Sequence, residues 1–168
     1  MAIVSTAAAG LKAASKATIL QLRDPEATVR RLEAEAVRLV SRSRVPVLIS
    51  SRCDVAIACG AAGVNLPERD LPVTAARSLL GERLVGRSVD SLEEAMRAEQ
   101  DGADFVIFGP VWSTPSHPDS RPVGIEGLAT LARRVRIPVL AVGGVTSERI
   151  RACLDAGAAG YAAIRLFA

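Results

Sequence analysis

Gln100-Asp-Gly-Ala-Asp-Phe-Val106 and Asp155-Ala-Gly-Ala-Ala-Gly-Tyr-Ala162 carry one phrase: a helix end, a glycine cap and the start of a buried strand. Cys59-Gly-Ala-Ala-Gly-Val64 is a shorter version of it. Working outward, short apolar runs alternate with amphipathic stretches along the chain. The runs are Thr18–Arg23, Val45–Ser50, Gly63–Leu66, Leu84–Ser88, Ala103–Gly109, Ile137–Gly143 and Gly160–Leu166, with Ala2–Thr6 a fainter eighth. They are rich in β-branched residues and bounded by Gly, Pro or Asp, as strands buried on both faces of a parallel sheet are. Strand and helix in regular alternation give an α/β fold with right-handed crossovers. The recurring helix-Gly-Ala-strand joint predicts closure into a (β/α)8 TIM barrel rather than an open sheet.

The intervening stretches carry helix signals. Asp24-Pro25 reads as an N-cap and first-turn proline ahead of Val29, Leu32, Ala36 and Leu39 on one face. Ser91-Leu-Glu-Glu94 reads as a capping box. Thr146 reads as the cap of a helix carrying Ile150, Cys153 and Leu154 and ending at Gly157.

Length sets a tension. The 168 residues form one domain, 1–168, yet such barrels usually need at least about 200 residues. The expectation is therefore a short or truncated barrel, with a minimal first βα unit and the last helix missing. Apolar surface on the first and last strands is then expected to be exposed, and such patches mark interfaces, here a homo-oligomer.

Composition excludes several classes. With 49% hydrophobic residues the chain can bury enough surface to fold, so disorder is excluded. No apolar stretch approaches the roughly 20 residues that cross a bilayer, and Lys12 and Lys16 follow the weakly apolar N-terminus, the wrong order for a secretory signal. The expected compartment is the cytoplasm. The 21 basic and 18 acidic residues are spread along the chain without the basic stripe and interleaved aromatics that nucleic acid requires. Cys53, Cys59 and Cys153 contain no Cys-x-x-Cys pair and there is one histidine, so no zinc site can be assembled and reduced, packed thiols are expected.

In a barrel the active site lies at the C-terminal ends of the strands. That rule selects Arg23 and Asp24, Ser50 and Ser51, Asn65 and Asp70, Arg87 and Ser88, Pro110 to His117, Gly143 and Gly144, and Ile164 with Arg165. Gly143-Gly144 ahead of Thr146 either cradles a phosphate on backbone N–H groups or makes a tight strand-to-helix turn. The loop from Gly109 to Gly124 is long, polar and proline-rich, as functional loops are. It holds the single histidine, His117, with Thr114, Ser116 and Arg121.

Several segments in order resemble the thiamine phosphate synthase / TenI (thiazole tautomerase) family: Gln21-Leu-Arg-Asp24, Ser51-Arg-Cys-Asp-Val-Ala56, Gly63-Val-Asn-Leu-Pro67 leading to Asp70-Leu-Pro72, Gly86–Ala95, Gly102–Ser116 and Ile137–Gly144. The resemblance implies thiamine biosynthesis. In that chemistry a barrel transferase joins hydroxymethylpyrimidine pyrophosphate to thiazole phosphate with Mg²⁺ and releases pyrophosphate. It further implies that Gln21 and Arg23 line the pyrimidine pocket, with Ser50 beside them where the family pattern has asparagine. Asp70 is to hold Mg²⁺. Ser88 and His117 are to contact pyrophosphate, so that Arg23, Ser88 and His117 are the catalytic set. Thr114, Ser116, Gly143, Gly144, Ile164 and Arg165 are to surround the thiazole phosphate.

The chain departs from that pattern in places. Ser51 replaces a metal-binding aspartate, Pro25 and His117 replace lysines, and Arg165 replaces a serine. The tautomerase branch lacks the same aspartate but uses a strand-six histidine, where this chain has Gly109-Pro110-Val111. The alternatives to a synthase are therefore a thiazole tautomerase-like isomerase and a non-catalytic module binding thiazole phosphate or thiamine phosphate.

Overall fold

Each apolar run forms a strand because its backbone groups can be satisfied only by neighbours on both sides. The computed structural model describes residues 1–116, 118 and 120–168. Its strands are β1 (Ala2–Val4), β2 (Leu20–Leu22), β3 (Val47–Ser50), β4 (Gly63–Leu66), β5 (Leu84–Val89), β6 (Phe105–Phe108), β7 (Val139–Val142) and β8 (Gly160–Ala162). The helices are α1 (Ala7–Ala13), α2 (Val29–Arg42), α3 (Cys53–Cys59), α4 (Val73–Leu80), α5 (Leu92–Gln100), α6 (Gly124–Arg134) and α7 (Ile150–Asp155). All eight strands pair in sequence order and in parallel.

The seam closes through Ala2 and Ala163. The Ile3 N–H donates to Ala163 O (3.0 Å) and the Ala163 N–H to Met1 O (3.2 Å). Of the short run Ala2–Thr6, Ala2–Val4 is thus a strand, and this bridge between the two edge strands nearly closes the barrel. Side chains alternate across each strand. Leu20, Leu22, Ile49, Val64, Val85 and Val106 pack outward against the helices. Leu48, Phe105, Ile107 and Ala162 fill the interior with Met1.

The structure corrects several expectations. The ladder runs on to Arg23, whose N–H donates to Val4 O (2.8 Å), and the chain then turns after Asp24, where the Ala27 N–H donates to Asp24 O (3.3 Å), before α2 begins. Thr28, not Asp24, caps α2, accepting from the Arg31 N–H (3.3 Å), while Asp24 accepts from Glu26 in a turn and pairs with Arg31. Ser91 does cap α5, but Glu94 reaches back to the Asp90 N–H rather than to Ser91. Thr146 makes no capping bond to α7; a 3₁₀ turn, Ser147–Arg149, intervenes. The run Gly160–Leu166 is strand only to Ala162, then a 3₁₀ turn, Arg165–Phe167. That turn folds Phe167 back onto Tyr161, ring centroids 6.0 Å apart. Apolar side chains of β1 and β8 are consequently buried or half-buried, and the expected exposed patch on those strands is not there.

At the N-terminal end of the barrel two arginines satisfy carbonyls where helices stop and strands begin. Arg77 on α4 donates to the carbonyls of Gly81, Arg83 and Gly102 and to Asp104 Oδ2 (2.6–2.8 Å), and that carboxylate accepts the Val85 N–H at 2.7 Å. Arg83 serves the carbonyls of Ala56 and Ala61. Arg77→Ala is expected to cost about 2 kcal/mol, the loss of several charge-assisted bonds at a partly exposed site. Urea unfolding would show it as a lower midpoint with unchanged slope.

Candidate active site

The C-terminal mouth of the barrel is where the strands carry polar side chains inward. Among the described residues the buried polar side chains are Gln21 (2% exposed), Ser50 (9%) and Asn65 (2%), on the successive strands β2, β3 and β4. Ser50 and Asn65 are register partners, and Gln21 pairs with the inward Leu48 one row below. Asn65 Nδ2 donates to Ser88 Oγ on β5, one inward row higher, at 3.0 Å. Gln21 Oε1 and Asn65 Oδ1 have no partner. A buried acceptor without a donor costs roughly 1–3 kcal/mol, and these two lie in adjacent rows of the barrel interior, near its C-terminal mouth.

The β4–α4 loop brings a carboxylate to the same end. Asp70 Oδ1 accepts the Leu71 N–H (2.7 Å), and Oδ2 is buried and unpartnered. Arg87 anchors this loop by donating to the carbonyls of Leu71 and Glu68. Its position near the end of β5 had placed it beside Ser88 at the mouth. Residues 87 and 88 face opposite sides of the strand, so Arg87 turns outward to the loop and only Ser88 turns in.

Ser51 is the one non-glycine residue with positive φ among those described (φ 71). Such a conformation favours Asn or Asp over other side chains and, where observed, points to functional strain. Asp54 is held by Arg52 (Nε to Oδ1 2.8 Å), and that hydrogen bond lowers its pKa to about 2. Burial, then the charges of Asp70 and Asp54, push the Cys53 thiol up, so it stays protonated and packs as an apolar group. Cys53, Cys59 and Cys153 are all free thiols.

Across the mouth, the β6–α6 loop leans on the end of β7. The Val111 N–H donates to Val142 O (2.8 Å) and the Trp112 N–H to Gly143 O (3.1 Å). Gly143 (φ 87) and Gly144 (φ 65) are required twice over. Their backbone is left-handed, and a Cβ would lie 2.4 Å from Pro110 Cβ and 2.7 Å from Trp112 Cβ respectively. The tight-turn explanation of the Gly-Gly pair is therefore sufficient by itself. Arg149 closes the junction, donating to Gly144 O (2.8 Å) and lying 4.8 Å from the centroid of the Trp112 ring. Thr114 is half-buried and Ser116 exposed in the same loop; His117 lies outside the described residues.

Between β1, α1, β2 and the end of β8 lies a cavity of about 370 Å³ lined by Ile3, Ser5, Lys12, Arg23, Ile164 and Phe167 among others. It joins Arg23 and Ile164, as the strand-end rule expects, and adds Lys12, which sequence reasoning passed over. Lys12 comes from the last turn of α1, which packs on β1 and β2, so its place in this cavity depends on tertiary packing. Arg165 is not among the residues lining this cavity.

A family model described as thiamine monophosphate synthase matches residues 2–167. The thiamine-phosphate synthase of Chloroflexus aurantiacus is 38% identical over 152 residues, covering 88% of this chain and 70% of that protein. The thiamine-phosphate synthase of Syntrophomonas wolfei is 41% identical, covering 88% of this chain and 73% of that one. Among solved structures, thiamine phosphate pyrophosphorylase from Pyrococcus furiosus superposes with a TM-score of 0.87 at 34% identity, over 94% of this chain and 78% of that one. FabK from Thermotoga maritima, at 21% identity and a TM-score of 0.77 over 98% of this chain and 55% of its own, shares the barrel fold.

Proposed function

The chain belongs to the thiamine monophosphate synthase family, a family of transferases in thiamine biosynthesis, and from that premise we propose how its mouth divides the two substrates. The inward group Gln21, Ser50 and Ser88 holds hydroxymethylpyrimidine pyrophosphate, and the β6, β7 and β8 ends, with Thr114, Ser116, Gly143, Gly144, Ile164 and Arg165, hold thiazole phosphate. The observation that carries this reading is the buried polar group with unpartnered acceptors, set between the cation Arg23 and the carboxylate Asp70.

In the reaction the bond between the pyrimidine methylene carbon and the pyrophosphate oxygen breaks, and its electron pair leaves with pyrophosphate. The thiazole nitrogen lone pair then forms the new carbon–nitrogen bond, giving a thiazolium. The developing charge is on the leaving group, so fixed donors aimed there supply most of the acceleration. Arg23 and Ser88 are those donors, with Lys12 in the adjoining cavity. His117 is the remaining member of the catalytic set.

Magnesium fits as a singly anchored ion. Among the described residues no three His, Cys, Asp or Glu side chains come together. The unpartnered Asp70 Oδ2 nevertheless offers one hard oxygen, and Mg²⁺ is commonly held by one or two carboxylates, water and substrate phosphates. When bound, it would neutralise charge on the departing pyrophosphate. Ser51→Asp is expected to lower the Mg²⁺ concentration for half-maximal rate about tenfold, by adding a second hard carboxylate ligand. The replacement also suits the left-handed backbone at that position. An unchanged magnesium dependence would remove Ser51 from the metal site.

The reading places the chain in the cytoplasm, in keeping with its free thiols; no helix among the described residues is long and apolar enough to cross a membrane. Its ligands are small phosphorylated heterocycles. The deciding assay incubates pure protein with both substrates and Mg²⁺. Thiamine phosphate and pyrophosphate in equal amounts are expected. Tight binding of thiazole phosphate without product would instead make it a binding module, and conversion of the thiazole tautomer alone would make it an isomerase.

A further inference from the structure

We propose that Asn65 selects the pyrimidine substrate by its amino group, an inference that rests on the transferase reading above. Asn65 lies on β4 between Ser50 and Gly86 in register, with its side chain inside the barrel. Its amide is divided in use. Nδ2 donates to Ser88 Oγ at 3.0 Å, while Oδ1, in a side chain 2% exposed, meets no donor. Gln21 Oε1, buried one row below on β2, is in the same state.

The surroundings define what can supply the missing donors. The inward group Gln21, Ser50, Asn65 and Ser88 carries no charge, and a cationic ligand at such depth would need a carboxylate. Below it the interior is apolar: Leu48 and Ile107 are there, and the Phe105 ring sits over Gly86, the register partner of Asn65. A neutral flat heterocycle with N–H groups on its edge matches acceptors above an apolar floor. The aminopyrimidine carries such an N–H pair, whereas thiazole phosphate offers a ring nitrogen acceptor and no N–H. The bond from Asn65 also occupies a lone pair of Ser88, leaving the serine proton to donate to the same ligand.

Calorimetry on the full chain tests this with two probes, hydroxymethyl aminopyrimidine and its analogue with hydrogen in place of the amino group. The native chain should bind the amino compound about 10- to 100-fold more tightly, because the analogue leaves both acceptors unpaired. This comparison needs no variant to fold. Asn65→Leu should shrink that ratio about tenfold or more while thiazole phosphate binding stays within about twofold. Two outcomes overturn the inference alone: thiamine phosphate formation by a native chain that binds both probes equally, or a folded Asn65→Leu variant that keeps the full preference. Failure of the native chain to bind the amino probe or form thiamine phosphate overturns the transferase reading, and the inference with it.

Discussion

Asp70→Asn is expected to slow thiamine phosphate formation about 100-fold or more at fixed Mg²⁺, the scale on which fixed charge acts on a developing anion. Its Oδ2 is the buried carboxylate oxygen at the mouth that has no protein partner. Asparagine keeps the shape and can still accept the Leu71 N–H with one oxygen. Arg87 still ties the loop through the carbonyls of Leu71 and Glu68. What is removed is the negative charge, so the circular dichroism spectrum should be unchanged while the rate falls. Raising Mg²⁺ should restore part of it, because loss of a ligand raises the Mg²⁺ concentration needed for half-maximal rate. A variant with the native rate and magnesium dependence would show that Asp70 does not hold the metal.

Gly63→Ala should lower stability by about 3 kcal/mol or more, at or beyond the upper end of ordinary overpacking. A Cβ at Gly63 would lie 1.9 Å from Leu84 O and 2.6 Å from Leu84 C. Those atoms are backbone of the paired strand β5, so no rotamer change relieves the clash and β4 must part from β5. At about 2–4 °C per kcal/mol for a domain of this size, the melting temperature should fall by roughly 6–12 °C. A fall under about 2 °C would mean that the strands separate at little cost. Because β4 carries Asn65 and the loop to Asp70, catalysis should weaken even in the folded fraction.

Much of this was legible in the sequence. The helix-Gly-Ala-strand joints and the apolar runs specified a closed barrel, since each is a local statement about where backbone turns and which segments must be buried. The site was legible in part for the same reason. Gln21 and Ser50 stand out as lone polar residues at the ends of apolar runs, and Asn65 stands out equally, though its hydrogen bond to Ser88, 23 positions on, does not. Other features depended on context. Asp24 and Thr28 are both credible caps by residue type; the ladder bond from Arg23 to Val4 decides between them. Arg87 and Ser88 are adjacent letters at one strand end, and only the pleat sends one to the loop and the other to the mouth.

The sequence by itself determined the fold class and the family, because periodicity, glycine joints and ordered motifs act over a few residues at a time. Tertiary structure alone decided that the first strand is real, that Lys12 joins Arg23 and Ile164 around one cavity, and that the acceptors of Gln21 and Asn65 are left open. Those facts depend on pairing Ala2 with Ala163 and on which side chains the closing barrel turns inward. Such contacts form between groups remote in the chain, where closure of the whole ring, not local preference, sets who meets whom.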